Sequence, residues 1–236
     1  MFKKGFTLAE VLVTLGIIGV VAAMTIPALI RSYNKQLVET RLKKFYSVFN
    51  QAILQSVHDN GPFEGWEYWI EQTDENGNAI PNQPKIRNAF DRYLRPYMNI
   101  VNTREGKCRT QVSDDGKCTY YYMVDGSVFT FSEHISRTVW YYPKGDWERC
   151  EMAHSDSING VCLFVFMFAP LAKWSASKYH VNRGLEPFLF GWDGTEESLL
   201  NHPTYGCAKG NGVYCAGLIQ YYGWHIPKHY PREIKY

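Results

Sequence analysis

The sequence predicts an α+β fold, a long N-terminal helix with a membrane half and an amphipathic half, packed on a small antiparallel β-sheet domain. Three observations predict it. From Phe6 to Ile30 the only ionisable side chain is Glu10. From Arg31 to His58 apolar residues recur at helical spacing. Beyond Thr119 short β-prone runs alternate with turn dipeptides. The 236 residues are 45% hydrophobic and 16% aromatic, enough for a real core and incompatible with wholesale disorder. A formal charge of +2 exerts no general pull on nucleic acid or anionic lipid.

The apolar run is long enough to cross a bilayer core of about 30 Å. Lys3 and Lys4 precede it and should hold that end in the cytoplasm, although Arg31 and Lys35 follow it. A cleavable secretory signal would be shorter and would end in a better small-x-small site than Ala22-Ala23-Met24. An ordinary anchor explains the length but leaves Glu10 unexplained, because an ionisable group in hydrocarbon is costly.

Gly5-Phe6-Thr7-Leu8-Ala9-Glu10 followed by an unbroken apolar helix resembles the processing site of type IV pilins and type II secretion pseudopilins. The resemblance covers the first thirty residues and implies the following. A prepilin peptidase cuts between Gly5 and Phe6, and Phe6 becomes the N-methylated terminus. Glu10 takes the place of the family's characteristic glutamate, and Pro27 that of a helix-kinking proline. Partners would be other pilin subunits, the peptidase, the inner-membrane assembly machinery and the lipid bilayer. The chain would sit in the cytoplasmic membrane as a single-pass subunit, joining a filament in the periplasm or at the cell surface.

Chemistry supports an assembly role for Glu10. A freed α-amino group is largely cationic at neutral pH. Glu10 lies about one turn from Phe6, so its carboxylate can meet that amine on its own chain or on a neighbour. Pro27 lacks an N–H, so a kink or local melting is expected there. Loss of Lys3 and Lys4 with the leader would leave the chain formally neutral.

The expected organisation is a leader at 1–5, an assembly helix at 6–30, its amphipathic continuation at 31–58 and an exterior α+β domain at 59–236. In the continuation, Val38, Leu42, Phe45, Phe49, Ala52 and Ser56 form one stripe, widened by Tyr46 and Ile53. Asn60-Gly61-Pro62 should stop the helix. Residues 62–84 read as loop. Asp74 to Asn78 only superficially resembles a calcium loop, because position twelve is Lys85. Ile86 to Arg95 reads as a short helix turning Ile86, Phe90, Tyr93 and Leu94 inward, closed by Pro96.

Thr119–Val124 and Ser127–Ser132 flank an Asp125-Gly126 turn, the best hairpin signal in the chain. Thr138–Tyr142, Val161–Phe168 and Leu185–Trp192 are further strand candidates. Thr195 reads as the N-cap of a short helix led by Glu196 and Glu197.

Cys108, Cys118, Cys150, Cys162, Cys207 and Cys215 suit an oxidising exterior. Their connectivity cannot be deduced from sequence. Consecutive pairing is preferred because Asp115-Gly116, Asn159-Gly160 and Gly210-Asn211-Gly212 place a turn in each short interval. Zinc on Cys150, His154 and Cys162, or on His202 and Cys207, is the competing reading. No C-x-x-C is present, and neither metal nor other cofactor is expected. No hydrolase, zinc-protease, Walker or dinucleotide motif occurs, and His134, His154, His180, His202, His225 and His229 are scattered, so no enzyme activity is expected.

Tyr120 to Tyr122, Trp140 to Tyr142 and Tyr221 to Trp224 are dense aromatic clusters. Core packing is the plain explanation. The alternative is an exposed stacking surface for glycan or DNA on a minor tip pilin, helped by the tail's Lys228, Arg232 and Lys235.

Overall fold

The computed structural model describes Gly5 and residues 7–66, 83–108, 117–131, 138–152, 158–171 and 175–235. Helix α1, Leu8–Asn60, has 53 residues and so runs about 80 Å at ~1.5 Å per residue. Thr7 caps its start, and Gly61 (φ 80°) ends it with its N–H on the Val57 carbonyl. Pro27 lies inside α1 without interrupting it, so the expected local melting does not occur. One lost N–H is a small defect between two helix-forming flanks that hold cooperatively.

Val38, Leu42, Phe45, Phe49, Ala52, Ile53 and Ser56 are the buried positions of α1, matching the stripe read from the sequence. They lie against a six-stranded antiparallel meander whose spatial order is its chain order. The strands are β1 (Ile100–Lys107), β2 (Lys117–Met123), β3 (Val128–Phe131), β4 (Thr138–Tyr142), β5 (Phe164–Met167) and β6 (Glu186–Pro187). Side-chain alternation splits the strands between two cores. Tyr121, Met123, Phe129, Phe131, Val139, Tyr141, Phe164 and Phe166 join the α1 stripe. Tyr120, Val128, Trp140, Tyr142 and Val165 point to the other side, where they meet Trp147, Ile158 and four bridged cysteines. Both faces are covered, so β3, β4 and β5 are buried at every position.

Helix α2 (Gln83–Tyr93) buries Ala89, Phe90 and Tyr93 beside α1. It ends at Tyr93, and Pro96 sits inside a following 3-10 turn, Arg95–Tyr97, instead of closing the helix. Helices α3 (Trp147–Met152), α4 (Glu196–Asn201) and α5 (Cys215–Tyr221) complete the fold. Thr195 caps α4, its hydroxyl accepting the Ser198 N–H at 3.1 Å.

The expected 185–192 strand shrinks to β6. Pro187 has no N–H for the ladder, and Gly191 (φ 75°) turns the chain. The 161–168 strand begins only at Phe164, because the N–H groups of Val161, Cys162 and Leu163 all fold back on the Ile158 carbonyl. Between β2 and β3 the Met123 N–H donates to the Ser127 carbonyl at 2.9 Å, enclosing a three-residue loop, 124–126, with Gly126 at φ 80°. This is the three-residue loop with a glycine bulge, one longer than a bare Asp-Gly turn. Strand β1 and helices α3 and α5 have no counterpart in the sequence reading.

The disulfides pair Cys108 with Cys118, Cys150 with Cys162 and Cys207 with Cys215, consecutively along the chain. They close the loop that joins β1 to β2, join α3 to the approach to β5, and close the loop before α5.

Candidate functional site

The N-terminal half of α1 is the feature that demands a function. Leu8, Leu12, Val13, Leu15, Ile17, Ile18, Met24 and Leu29 are all exposed, as are the valines and isoleucines between them. The stretch is long and apolar enough to cross a membrane, and none of it is buried by the chain's own fold. Soluble proteins do not leave an apolar surface of this length in water.

Glu10 sits at the head of this stretch. Its Oε2 accepts the Thr7 N–H at 2.8 Å and the Thr7 hydroxyl at 2.8 Å, while its own N–H donates to Thr7 Oγ1 at 3.3 Å. This is a reciprocal capping box, so α1 starts at Leu8, and Thr7 keeps extended backbone angles (φ −80°, ψ 152°). The sequence reading sent the carboxylate to a terminal amine. In the single chain Thr7 holds it, a partner missed although Thr7-Leu8-Ala9-Glu10 has the capping-box spacing. Met1 to Lys4 and Phe6 lie outside the described residues, and so does the Phe6 amine. Pro27 is exposed, within the unbroken helix.

The second half of α1 is tied to the sheet by side chains that read backbone. Arg41 donates to the carbonyls of Pro143 and Asp125, and the Tyr141 hydroxyl donates to the Arg41 carbonyl at 3.0 Å. Lys44 pairs with the Asp125 carboxylate at 3.1 Å. Burial raises the Asp125 pKa, but the hydrogen bonds from Ser127 and the Lys44 ammonium outweigh it, leaving the carboxyl below its usual range. One turn and a half further on, Asn50 accepts the Leu185 N–H and donates to the Leu185 carbonyl, both at 2.9 Å. The Tyr46 hydroxyl donates to Glu186 at 3.2 Å. Burial lifts the Glu186 carboxyl above its ordinary value.

Most rings of the aromatic clusters are packed inside the fold. Tyr120, Tyr121, Trp140, Tyr141 and Tyr142 are buried. Tyr122 is half-buried and takes the Trp147 indole N–H at 2.9 Å. Trp224 is half-buried, its ring 5.0 Å from that of Tyr46. Of these rings Tyr221 alone is exposed. A sheet covered on both sides uses most of these aromatics as core, the plain explanation read from the sequence.

All six cysteines are bridged. A bridged sulfur offers no thiolate to zinc. His154 and His134 lie outside the described residues, as do Asp74 to Asn78 and the Asp115-Gly116 turn. His202 instead orders its own loop, its Nδ1 accepting the N–H groups of Thr204 and Tyr205.

A family model described as a family of unknown function (DUF6613) covers residues 28–234, the amphipathic half of α1 and nearly all that follows. The chain belongs to that family. The prokaryotic N-terminal methylation motif covers residues 1–26. Members of DUF6613 are thus joined here to the prepilin signature of type IV pilins and pseudopilins, on a pilin-like layout of long helix and antiparallel sheet. No curated protein and no solved structure matches the chain.

Proposed function

We propose that this chain is a structural subunit of a type IV pilus-like or type II secretion pseudopilus filament. Prepilin peptidase cuts after Gly5, Phe6 is methylated, residues 6–30 span the cytoplasmic membrane, and the 59–236 domain lies outside it. The observation that supports this most is the unpartnered apolar half of α1 directly behind the methylation motif. In the membrane that half is solvated by lipid, and in a filament by the same half of neighbouring subunits. Glu10 is the assembly group: the single chain already positions its carboxylate at the helix head, where a neighbour's terminal amine can replace or join Thr7. Charge pairing there is strong because the alternative is an acid facing hydrocarbon. Residues 31–58 carry the domain on the filament shaft.

The test is processing in a host that expresses a prepilin peptidase. The wild-type chain should lose its five-residue leader and gain one methyl group by intact mass, and Gly5→Leu should do neither. A Gly5→Leu chain trimmed like the wild type would defeat the assignment.

A further inference from the structure

The tail from His225 to Lys235 is basic in sequence, and the fold places it against the part of α1 that follows the apolar run. Glu233 lies 3.9 Å from Arg31, the residue after Ile30. Glu39 accepts the Ile226 N–H at 2.7 Å and faces His225 at 3.5 Å. Ile234 is buried in the α1 core, and the Lys235 N–H donates to the Val161 carbonyl at 3.2 Å. The tail is therefore pinned alongside residues 31–39.

Helix rise converts this into a height above the bilayer. Leu8 to Ile30 rises about 34 Å at ~1.5 Å per residue, against about 30 Å of hydrocarbon. Arg31 then emerges among the headgroups, and Glu39 stands about 12 Å higher. That interval overlaps both the headgroup layer and a Debye length of about 10 Å at 0.1 M salt.

We propose that this base, residues 31–39 of α1 with tail residues 225–235, is a contact surface for anionic lipid headgroups. The inference rests on the membrane reading of α1 given above. Four cations are exposed there, Arg31, Lys35, Lys228 and Lys235, against two acids, Glu39 and Glu233. Outside the base and the leader acids outnumber cations, 21 to 18, so the cationic excess is local to the base. Arg232 serves the surface from behind: it donates to the carbonyls of Cys207 at 2.6 Å and Gly210 at 3.0 Å, fixing the tail to a disulfide-closed loop. Arg31 and Lys35, awkward for topology, become exterior headgroup ligands in this arrangement.

The full-length chain, processed and placed in nanodiscs, tests it. One set of discs holds phosphatidylcholine alone and the other adds phosphatidylglycerol. An amine-acetylating reagent reads Lys35, Lys228 and Lys235 by mass spectrometry. Each cation near an anionic surface is worth about a fivefold change in occupancy, so all three should acetylate several-fold more slowly in the anionic discs, and high salt should erase the difference. In the Lys228→Glu/Lys235→Glu variant, Lys35 should react nearly alike in both discs. Equal rates for the wild type in the two discs would overturn the proposal. So would protection by duplex DNA on neutral discs with none from anionic lipid, which would assign the tail to nucleic acid. A chain that enters neither disc removes the membrane reading itself, a failure visible before any acetylation.

Discussion

At the scale of single residues, the polar groups that read backbone across the α1–sheet junction set what each position tolerates. Asn50 serves the Leu185 N–H and carbonyl at once, and a Cβ on Gly184 would lie 1.8 Å from its Oδ1. Asn50→Ala should cost about 2–3 kcal/mol, because it strands two backbone groups. Gly184→Ala should be costly in the wild type and much milder beside Asn50→Ala, since the clash goes with the amide. Thermal unfolding of the full chain in detergent measures both and their coupling. His180 is fully buried, and its Nε2 accepts the Leu189 N–H at 3.1 Å, a bond only the unprotonated nitrogen can make. Burial, above all, pushes its pKa down from 6.5 to about 4. The unfolded chain thus binds the proton first, and stability falls as pH drops through the interval from 6.5 to about 4. The linkage is worth about 3 kcal/mol at most. Unfolding midpoints at neutral and mildly acid pH should diverge in the wild type and draw together in His180→Gln. Paired carboxylates such as Asp125, held low, lose their contribution only below their ordinary range, so the two windows separate.

At the scale of elements, α1 behaves as two helices joined end to end. Its first half is buried by none of the described residues, while its second is the spine of the core. The ring of Phe45 stacks on Tyr141 at 4.1 Å and meets Phe49, Phe129 and Phe166 edge-on or tilted at 5.3–5.6 Å. Phe45→Ala should cost about 3–5 kcal/mol. It should leave leader cleavage intact, because the peptidase motif lies far along the same helix; loss of both would show the halves to be coupled. The amphipathic stripe was fully legible because its 3.6 period depends on nothing beyond the helix itself. Strand β1 was not: Ile100–Lys107 is polar, lies at the sheet edge and pairs only with β2, so no hydrophobic alternation marks it. Helices α3 and α5 are too short for periodicity to register, and they stand on their bridged Cys150 and Cys215 as much as on propensity.

At the scale of the molecule, one end is built for lipid or for other subunits and the other is closed on itself. Glu10→Val removes the carboxylate from the head of α1 while sparing Gly5. Processing should proceed, and incorporation into filaments should fall to background when sheared filaments are probed for the subunit. Normal incorporation would detach Glu10 from assembly. Between the ends, the C-terminal tail returns to residues 31–39, just past the apolar run of α1.

Sequence by itself determined the apolar run, the cleavage motif, the stripe on α1 and the β-prone character of the exterior domain, since each is written in local order and spacing. Tertiary structure decided which aromatics are core, how the six cysteines pair, that Thr7 holds Glu10, and where the basic tail lies. Those depend on which distant segments share a face, and one-dimensional spacing does not carry that information.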